Sequence, residues 1–380
     1  MEKIQITIVG GGVVGCAIAW KLSKKYRDIF VFEKNPFLGD EQSGRNSGVI
    51  HAGIYYKDEP LKQRLCVRGK ELLYDFCEKN NVPAFRTGKF IVAVKQKEEK
   101  FVEGYFTHAK NHGVPVEIVD EGFVKKREPN VNCRCALWSP TTGIVDSAGF
   151  LKALSKLASH NGVEFLTNTE VVDINPQSKG FLVKVKYKNG GEETFISEVV
   201  INSAGLYSDE IARKINPESS YEIIPVRGEY YYFDSSLREE IHFNGTNIYQ
   251  VQKPYYIDGR KYQAIGIHLT PTFEIQKSSY KISSKVLIGP TSTPVSEKDD
   301  YSKNRSEPER FYEGVKDFFP NLEISDLNMD YAGNRAKLKI GNDFVIEKDS
   351  KYSGAINLIG IDSPGLTSCL AIAEYIQQLL

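Results

Sequence analysis

The sequence lacks an excess of either charge. Its 380 residues carry 49 Lys and Arg against 49 Asp and Glu. No global field therefore exists to hold a nucleic acid or an anionic membrane. Cysteine is scarce: Cys16, Cys66, Cys77, Cys133, Cys135 and Cys369 are the full set, too few for a disulfide scaffold. Only Cys133 and Cys135 lie close together, and one intervening residue is not a zinc-knuckle spacing. All six are expected as reduced thiols. No apolar run approaches the ~20 residues of a membrane span. A strand begins within a few residues of Met1, with no basic stretch or cleavage site before it, so no secretory signal is expected. The expected location is cytoplasmic, at most peripheral to the inner face of a membrane. No metal-ligand cluster, Ser-His-Asp pattern or nucleophilic Cys signature stands out.

What is present is ordinary globular composition, 41% hydrophobic and 26% charged, well away from the disordered range. At roughly 150 residues per domain, the length suits two or three domains or one interleaved unit.

The first forty residues are the most informative. Ile4, Ile6, Ile8 and Val9 read as a buried strand. Gly10, Gly12 and Gly15 follow in GxGxxG spacing, then Val13 to Lys25 shows a helical repeat through Val14, Ile18 and Leu22. Ile29 to Phe32 reads as a second strand, with Glu33 at its end. The chemistry of a dinucleotide site asks for each part. Gly10 permits the tight turn, Gly12 lets a pyrophosphate approach the backbone, and Gly15 lets helix and strand pack closely. The helix N-terminus offers free N–H groups to phosphate. Glu33 is placed to hold both ribose hydroxyls of an adenosine, which disfavours a 2′-phosphate and hence NADP. This segment alone leaves NAD and FAD open.

Further along, helices are expected at Leu61 to Asn80, Glu98 to Asn111, Glu121 to Glu128 and Phe150 to Ser159. Residues 223 to 290 are rich in Tyr, Ile and β-branched types, with turn signals at Asp258-Gly259 and Gly289-Pro290, which predicts an antiparallel sheet. Residues 300 to 320 read as polar and helical. The tail returns to a strand at Ile356 to Ile359 and a helix at Ser368 to Leu379.

Three segments together resemble the FAD-dependent oxidoreductases of the D-amino-acid oxidase-like superfamily: the N-terminal motif, VVINSAGLYSD (199–209) and LIGIDSPGLTSCLAIAEYI (358–376). Within it, SGRNSGVIHAGIYY (43–56) is similar to the signature of the L-2-hydroxyglutarate dehydrogenase/oxidase family. PVRGEYY (225–231), NIY (247–249), GIHLTP (266–271), IGP (288–290) and AGNRA (332–336) continue the match in order. Arg45 stands where that motif often has His, and the tail reads SPGLT; both departures bear on the substrate.

The resemblance implies a Rossmann-like FAD-binding domain, α/β, interleaved with a smaller antiparallel-sheet substrate domain, α+β. The expected division is 1–85, 141–222 and 331–380 for the FAD domain and 86–140 with 223–330 for the substrate domain. It implies FAD as cofactor, held by Gly10, Gly12, Val14, Gly15, Glu33, Lys34, Arg45, Asn46, Ser47, Gly48, Val171, Ala204, Gly205, Pro364, Gly365, Leu366 and Thr367. It implies oxidation of an L-2-hydroxy acid, a small dicarboxylate such as L-2-hydroxyglutarate, with a quinone or oxygen taking the electrons. Glycerol 3-phosphate and amino acids are the alternative substrates, and a non-catalytic FAD-binding module is the alternative class. His51 and His268 both suit the base that takes the hydroxyl proton. On the strand around His268, packing of Ile265 and Ile267 on one face leaves Gly266, His268 and Thr270 on the other. Arg335 suits the substrate carboxylate, with Tyr249 and Tyr56 as hydroxyl donors. Arg45 and Arg64 both suit a phosphate or second carboxylate. His108, His112, His160 and His242 are expected at the surface.

Overall fold

The computed structural model describes residues 3–56, 59–251, 254–257, 260–263, 266–276 and 279–380. The expected turn at Asp258-Gly259 and the expected packing of Ile265 lie outside the described residues.

The apolar N-terminal run forms strand Lys3–Val9, which lies parallel to both Ile29–Phe32 and Glu192–Asn202. Ile8 stands beside Val31 on one side and Ile201 on the other. Glu164–Leu166 and Ala355–Ile359 extend the parallel set. An antiparallel pair, Thr169–Pro176 and Phe181–Tyr187, continues it beyond Glu192–Asn202. The cluster of Ile4, Val9, Phe32, Ile211 and Ile215 fills one face of these strands, and helix Val13–Leu22 covers the other. That helix buries Cys16, Ala17, Ile18, Ala19 and Leu22 in a core shared with helices Ser147–His160 and Gly365–Leu379. Edge-on ring contacts, Trp20 to Phe76 at 5.0 Å and Phe76 to Phe150 at 5.2 Å, fix that layer. This is the expected Rossmann-like arrangement.

Among the described residues the second sheet has nine strands and the first eight. It is antiparallel except where Asn247–Gln250 runs parallel to Lys89–Ala93. Phe90, Phe233, Phe311, Phe318 and Phe319 fill its core. Strand Asn328–Leu338 crosses the boundary expected at 331. It pairs with Ile223–Asp234 from Asn328↔Tyr232 to Leu338↔Ile223, so Arg335 belongs to this sheet and not to the parallel one. The edge of a long strand needs a partner for its N–H and C=O groups, and that requirement carries the tail across the expected division.

Helix 300–320 is shorter than expected, Pro308–Val315. Pro308 sets its start, because the residue before a proline avoids the helical region. The last helix starts at Gly365, three residues earlier than the periodicity of 368–379 indicates. A small third sheet, Val49–Ile50, Ala84–Phe85 and Gly143–Val145, pins the loop that leads into His51. Five cysteines are buried and free, and Cys135 is half-buried and free. Among the described residues, no helix is long and apolar enough to cross a membrane and no metal-ligating cluster is present.

Candidate functional site

One elongated cavity, about 350 Å³, runs from the end of strand Lys3–Val9 to the face of the second sheet. Its first part is built by the glycine turn. Gly10 has φ +104°, and a Cβ there would meet the Ser203 carbonyl oxygen at 2.6 Å. A Cβ on Gly15 would meet the Gly10 carbonyl oxygen at 2.1 Å, so Gly15 sits behind the turn and permits its closeness without bordering the cavity. Glu33 is buried and doubly held: Gly11 N donates to Oε2 and Asn35 N to Oε1, both at 2.8 Å. Burial pushes its carboxyl up from the ordinary range, against the pull of those two backbone donors. Lys34, Val171, Ala204 and Gly205 border the same end. Lys34 is paired with Glu41 at 2.9 Å.

The middle part is the loop after Glu33. Ser43 Oγ accepts from Val13 N at 2.9 Å and so caps helix Val13–Leu22 from outside. No acidic side chain occupies that helix's first turn, which leaves its positive end open to an anion. Val14, Arg45, Asn46 and Ser47 border the cavity. Asn46 Oδ1 accepts from Gly48 N at 2.8 Å, and its amide donates to the Ser43 carbonyl at 2.6 Å. Gly48 therefore shapes the loop from behind. The Arg45 guanidinium lies 4.1 Å from the Tyr301 ring centre, and its Nε is buried without a partner. Arg64 is exposed and away from the cavity, so of the two arginines only Arg45 borders it.

The far part gathers side chains from five separate stretches: His51, Tyr249, His268, Arg335 and the 362–366 turn. His51 N donates to Thr367 Oγ1 at 3.0 Å; Thr367 thus ties the His51 loop to the last helix and does not line the space. His51 Nε2 meets Ser363 Oγ at 3.3 Å, and its Nδ1 has no partner. His268 stacks on Tyr249, ring centres 3.8 Å apart. The His268 Nδ1–H donates to the Gly266 carbonyl at 3.0 Å, since a carbonyl can only accept. Nε2 is therefore left with its lone pair, buried and unpartnered. Burial, opposed by the Gly266 bond, with Lys89 and Arg335 nearby, lowers His268 to about 3. Burial, Lys89 and His268 hold His51 well below its usual value. Both rings are neutral at physiological pH.

Arg335 donates to the Thr291 carbonyl and to Ser292 Oγ, the latter at 2.9 Å, and its Nε is buried and unpartnered. Tyr56 is buried elsewhere, away from the cavity wall, against Cys66, Glu59 and Asp362. Gly365 and Leu366, with Pro364 before them, border the space, and no side chain caps that helix. His112, His160 and His242 are exposed and His108 half-buried; none of these four borders the cavity.

Sequence reasoning missed Lys89, Tyr230, Asp362 and Ser363. Asp362 and Ser363 lie within the segment 358–376, directly before Pro364, and PVRGEYY contains Tyr230. Lys89 carried one signal, a lysine directly before the apolar run of a strand.

The glycine cradle, the oriented Glu33 and the open helix start fit an adenine dinucleotide. The unpartnered donors and lone pair at the far end fit a reacting group beyond it. Glu33→Gln is expected to weaken FAD retention about 10- to 100-fold, because one backbone N–H loses its acceptor at a cost of about 1–3 kcal/mol. Titration of apoprotein with FAD, followed by flavin fluorescence, measures it; unchanged affinity removes Glu33 from the site.

Residues 5–379 match the family described as FAD dependent oxidoreductase. The chain is 32% identical to a mitochondrial L-2-hydroxyglutarate dehydrogenase of Caenorhabditis elegans, over 99% of this chain and 93% of that protein. It is 30% identical to a glycerol 3-phosphate dehydrogenase of Caloramator mitchellensis, over 99% of this chain and 73% of that one. Its fold is similar to an L-α-glycerophosphate oxidase of Mycoplasma pneumoniae solved with FAD bound, with TM-score 0.86, 28% identity, and coverage of 100% of this chain and 95% of that one. The chain belongs to the FAD-dependent oxidoreductase family, and FAD is its cofactor.

Proposed function

We propose that the enzyme oxidises an L-2-hydroxy acid, with L-2-hydroxyglutarate to 2-oxoglutarate as the reaction. One observation carries this reading: a neutral imidazole lone pair, His268 Nε2, and an unsatisfied guanidinium N–H, Arg335 Nε, stand at the same end of one cavity. A 2-hydroxy acid needs both, a base for its hydroxyl proton and a cation for its carboxylate. The L-2-hydroxyglutarate dehydrogenase relatives support the choice of substrate.

FAD, when bound, supplies the acceptor for the hydride that leaves C2. The chain's residues do the rest. Arg335 orients the C1 carboxylate through a planar fork already braced by Thr291 and Ser292. His268 Nε2 takes the hydroxyl proton, and stacking on Tyr249 fixes the plane of its ring. His51 sits beside it on Ser363. Burial of these groups excludes water from the reacting atoms. The electrons then pass to a separate acceptor, a quinone or oxygen.

A second reading is oxidation of glycerol 3-phosphate, favoured by the relative and the solved structure of that activity. Anaerobic bleaching of the holoenzyme decides between them. L-2-hydroxyglutarate is expected to reduce the flavin at least tenfold faster than glycerol 3-phosphate, L-proline or glycine. No bleaching by L-2-hydroxyglutarate sinks the first reading; bleaching by glycerol 3-phosphate alone establishes the second.

A further inference from the structure

Lys89 opens strand Lys89–Ala93, in which all five residues are buried. It is 1% exposed. Its ammonium lies 4.7 Å from the Tyr55 ring centre and 4.6 Å from that of Tyr249. Tyr249 is the ring on which His268 stacks, and it borders the cavity with His51 and His268. The charge of Lys89 acts on both histidines. It therefore sits just behind the wall at the reacting end.

The other lysines near the cavity have partners, Lys214 in the Val172 carbonyl at 2.9 Å and the rest in carboxylates. Lys34 has Glu41. Lys62 and Lys337 share Asp362, at 3.0 and 2.6 Å. Lys89 has no carboxylate in ion-pair range and no hydrogen-bond acceptor among the described residues. Two ring faces attract an ammonium by about 0.5–2 kcal/mol each, but burying an isolated cation costs several kcal/mol. Burial accordingly pushes Lys89 down to about 7. The groups that face it are Tyr55, Tyr249, His51, His268 and Cys66. None of them is anionic at neutral pH, because burial raises the thiol and both phenols and lowers both imidazoles. The missing counter-charge has to enter from outside.

We propose that Lys89 is the counter-charge for the second anionic group of the substrate, the carboxylate remote from the carbon that is oxidised. This rests on the function proposed above and adds what that reading left unassigned. Arg335 takes one end of a dianion and Lys89 the other, which makes Lys89 the residue that selects dianions over monoanions.

The test compares the wild-type holoenzyme with Lys89→Met, which keeps volume and stem but removes charge, and with Lys89→Gln as a second variant. One substrate pair differs only in the remote anion: L-2-hydroxyglutarate against L-2-hydroxybutyrate. In the wild type the dianion is expected to lead in kcat/KM by on the order of 10²-fold. Both variants are expected to lose that lead, with the fall in kcat/KM on the dianion far larger than that on the monoanion. Calorimetric binding of 2-oxoglutarate and 2-oxobutyrate to the holoenzymes gives a readout independent of turnover, with the wild-type preference for 2-oxoglutarate abolished in both variants. Equal losses on both members of the pair mean a structural role and overturn the proposal. So does a wild type that binds the two oxo acids equally. Failure of the function reading shows separately, as absence of flavin bleaching by L-2-hydroxyglutarate in the wild type.

Discussion

Replacing His268 with Asn is expected to slow anaerobic flavin reduction about 10²–10⁴-fold, the usual contribution of a positioned base, with FAD content and melting temperature close to wild type. The size follows from how completely the ring is prepared. The Gly266 carbonyl fixes the proton on Nδ1, the Tyr249 ring fixes the plane, and Nε2 is left buried with nothing to bond. An amide in its place accepts a hydrogen bond but takes no proton. His51→Asn is expected to cost less, since its Nε2 already meets Ser363 Oγ. If the His51 variant shows the larger loss, the base is His51 and His268 is its neighbour. The pH profile adds a check. A histidine whose folded value is lowered to about 3 is in its base form at every higher pH. It therefore contributes no acid limb between about pH 5 and about pH 8, where an unperturbed histidine titrates. An entering dianion moves this value upward, because it offsets the field of Lys89 and Arg335 that holds the ring neutral.

The nucleotide end was legible in the sequence because its parts are contiguous. Gly10, Gly12 and Gly15 and the acid at 33 each act within one strand–turn–helix–strand unit, so spacing alone places them. The parallel order of the sheet followed from the same local logic. The reacting end is different. His51 follows a two-residue strand, Tyr249 and Lys89 lie on strands paired in parallel, His268 opens strand His268–Gln276, and Arg335 comes from a strand near the C-terminus. What each does depends on neighbours that are remote in the chain. Lys89 shows this most sharply. At the head of an apolar strand it reads as a solvated lysine, and only Tyr55 and Tyr249 closing over it make it a buried charge. Tyr56 shows the converse. It follows Tyr55 in the same segment, yet it lies toward Cys66 and Asp362 while Tyr55 lies toward Lys89 and Tyr105. Arg335 was expected in the FAD-binding half, whereas the pairing with Ile223–Asp234 puts it on the other sheet. A boundary drawn along the sequence has no access to which edge needs a partner.

Arg335→Met is expected to lower kcat/KM for the 2-hydroxy acid about 10²–10³-fold, equivalent to about 3–4 kcal/mol for a buried charge pair broken on one side. The guanidinium is held by two acceptors on one terminal nitrogen, the Thr291 carbonyl and Ser292 Oγ, and this leaves Nε free to meet a carboxylate at a fixed angle. Because the brace forms before substrate arrives, little rotamer entropy remains to be lost on binding. Arg335→Lys is expected to restore only a small part of the loss: a lysine supplies charge but neither the planar fork nor the two braced contacts. Charge alone and geometry thus separate in one pair of variants. A structural role predicts something else, since loss of the Thr291 and Ser292 contacts alone lowers the melting temperature and leaves kcat/KM per folded, FAD-loaded enzyme unchanged. That outcome removes Arg335 from the substrate site. The Lys89 variants give the contrast that makes the assignment specific. With Arg335 replaced, L-2-hydroxyglutarate and L-2-hydroxybutyrate are expected to suffer alike, because both carry the C1 carboxylate. With Lys89 replaced, the dianion suffers far more than the monoanion. Two cations that fail on different substrates grip different ends of the same molecule.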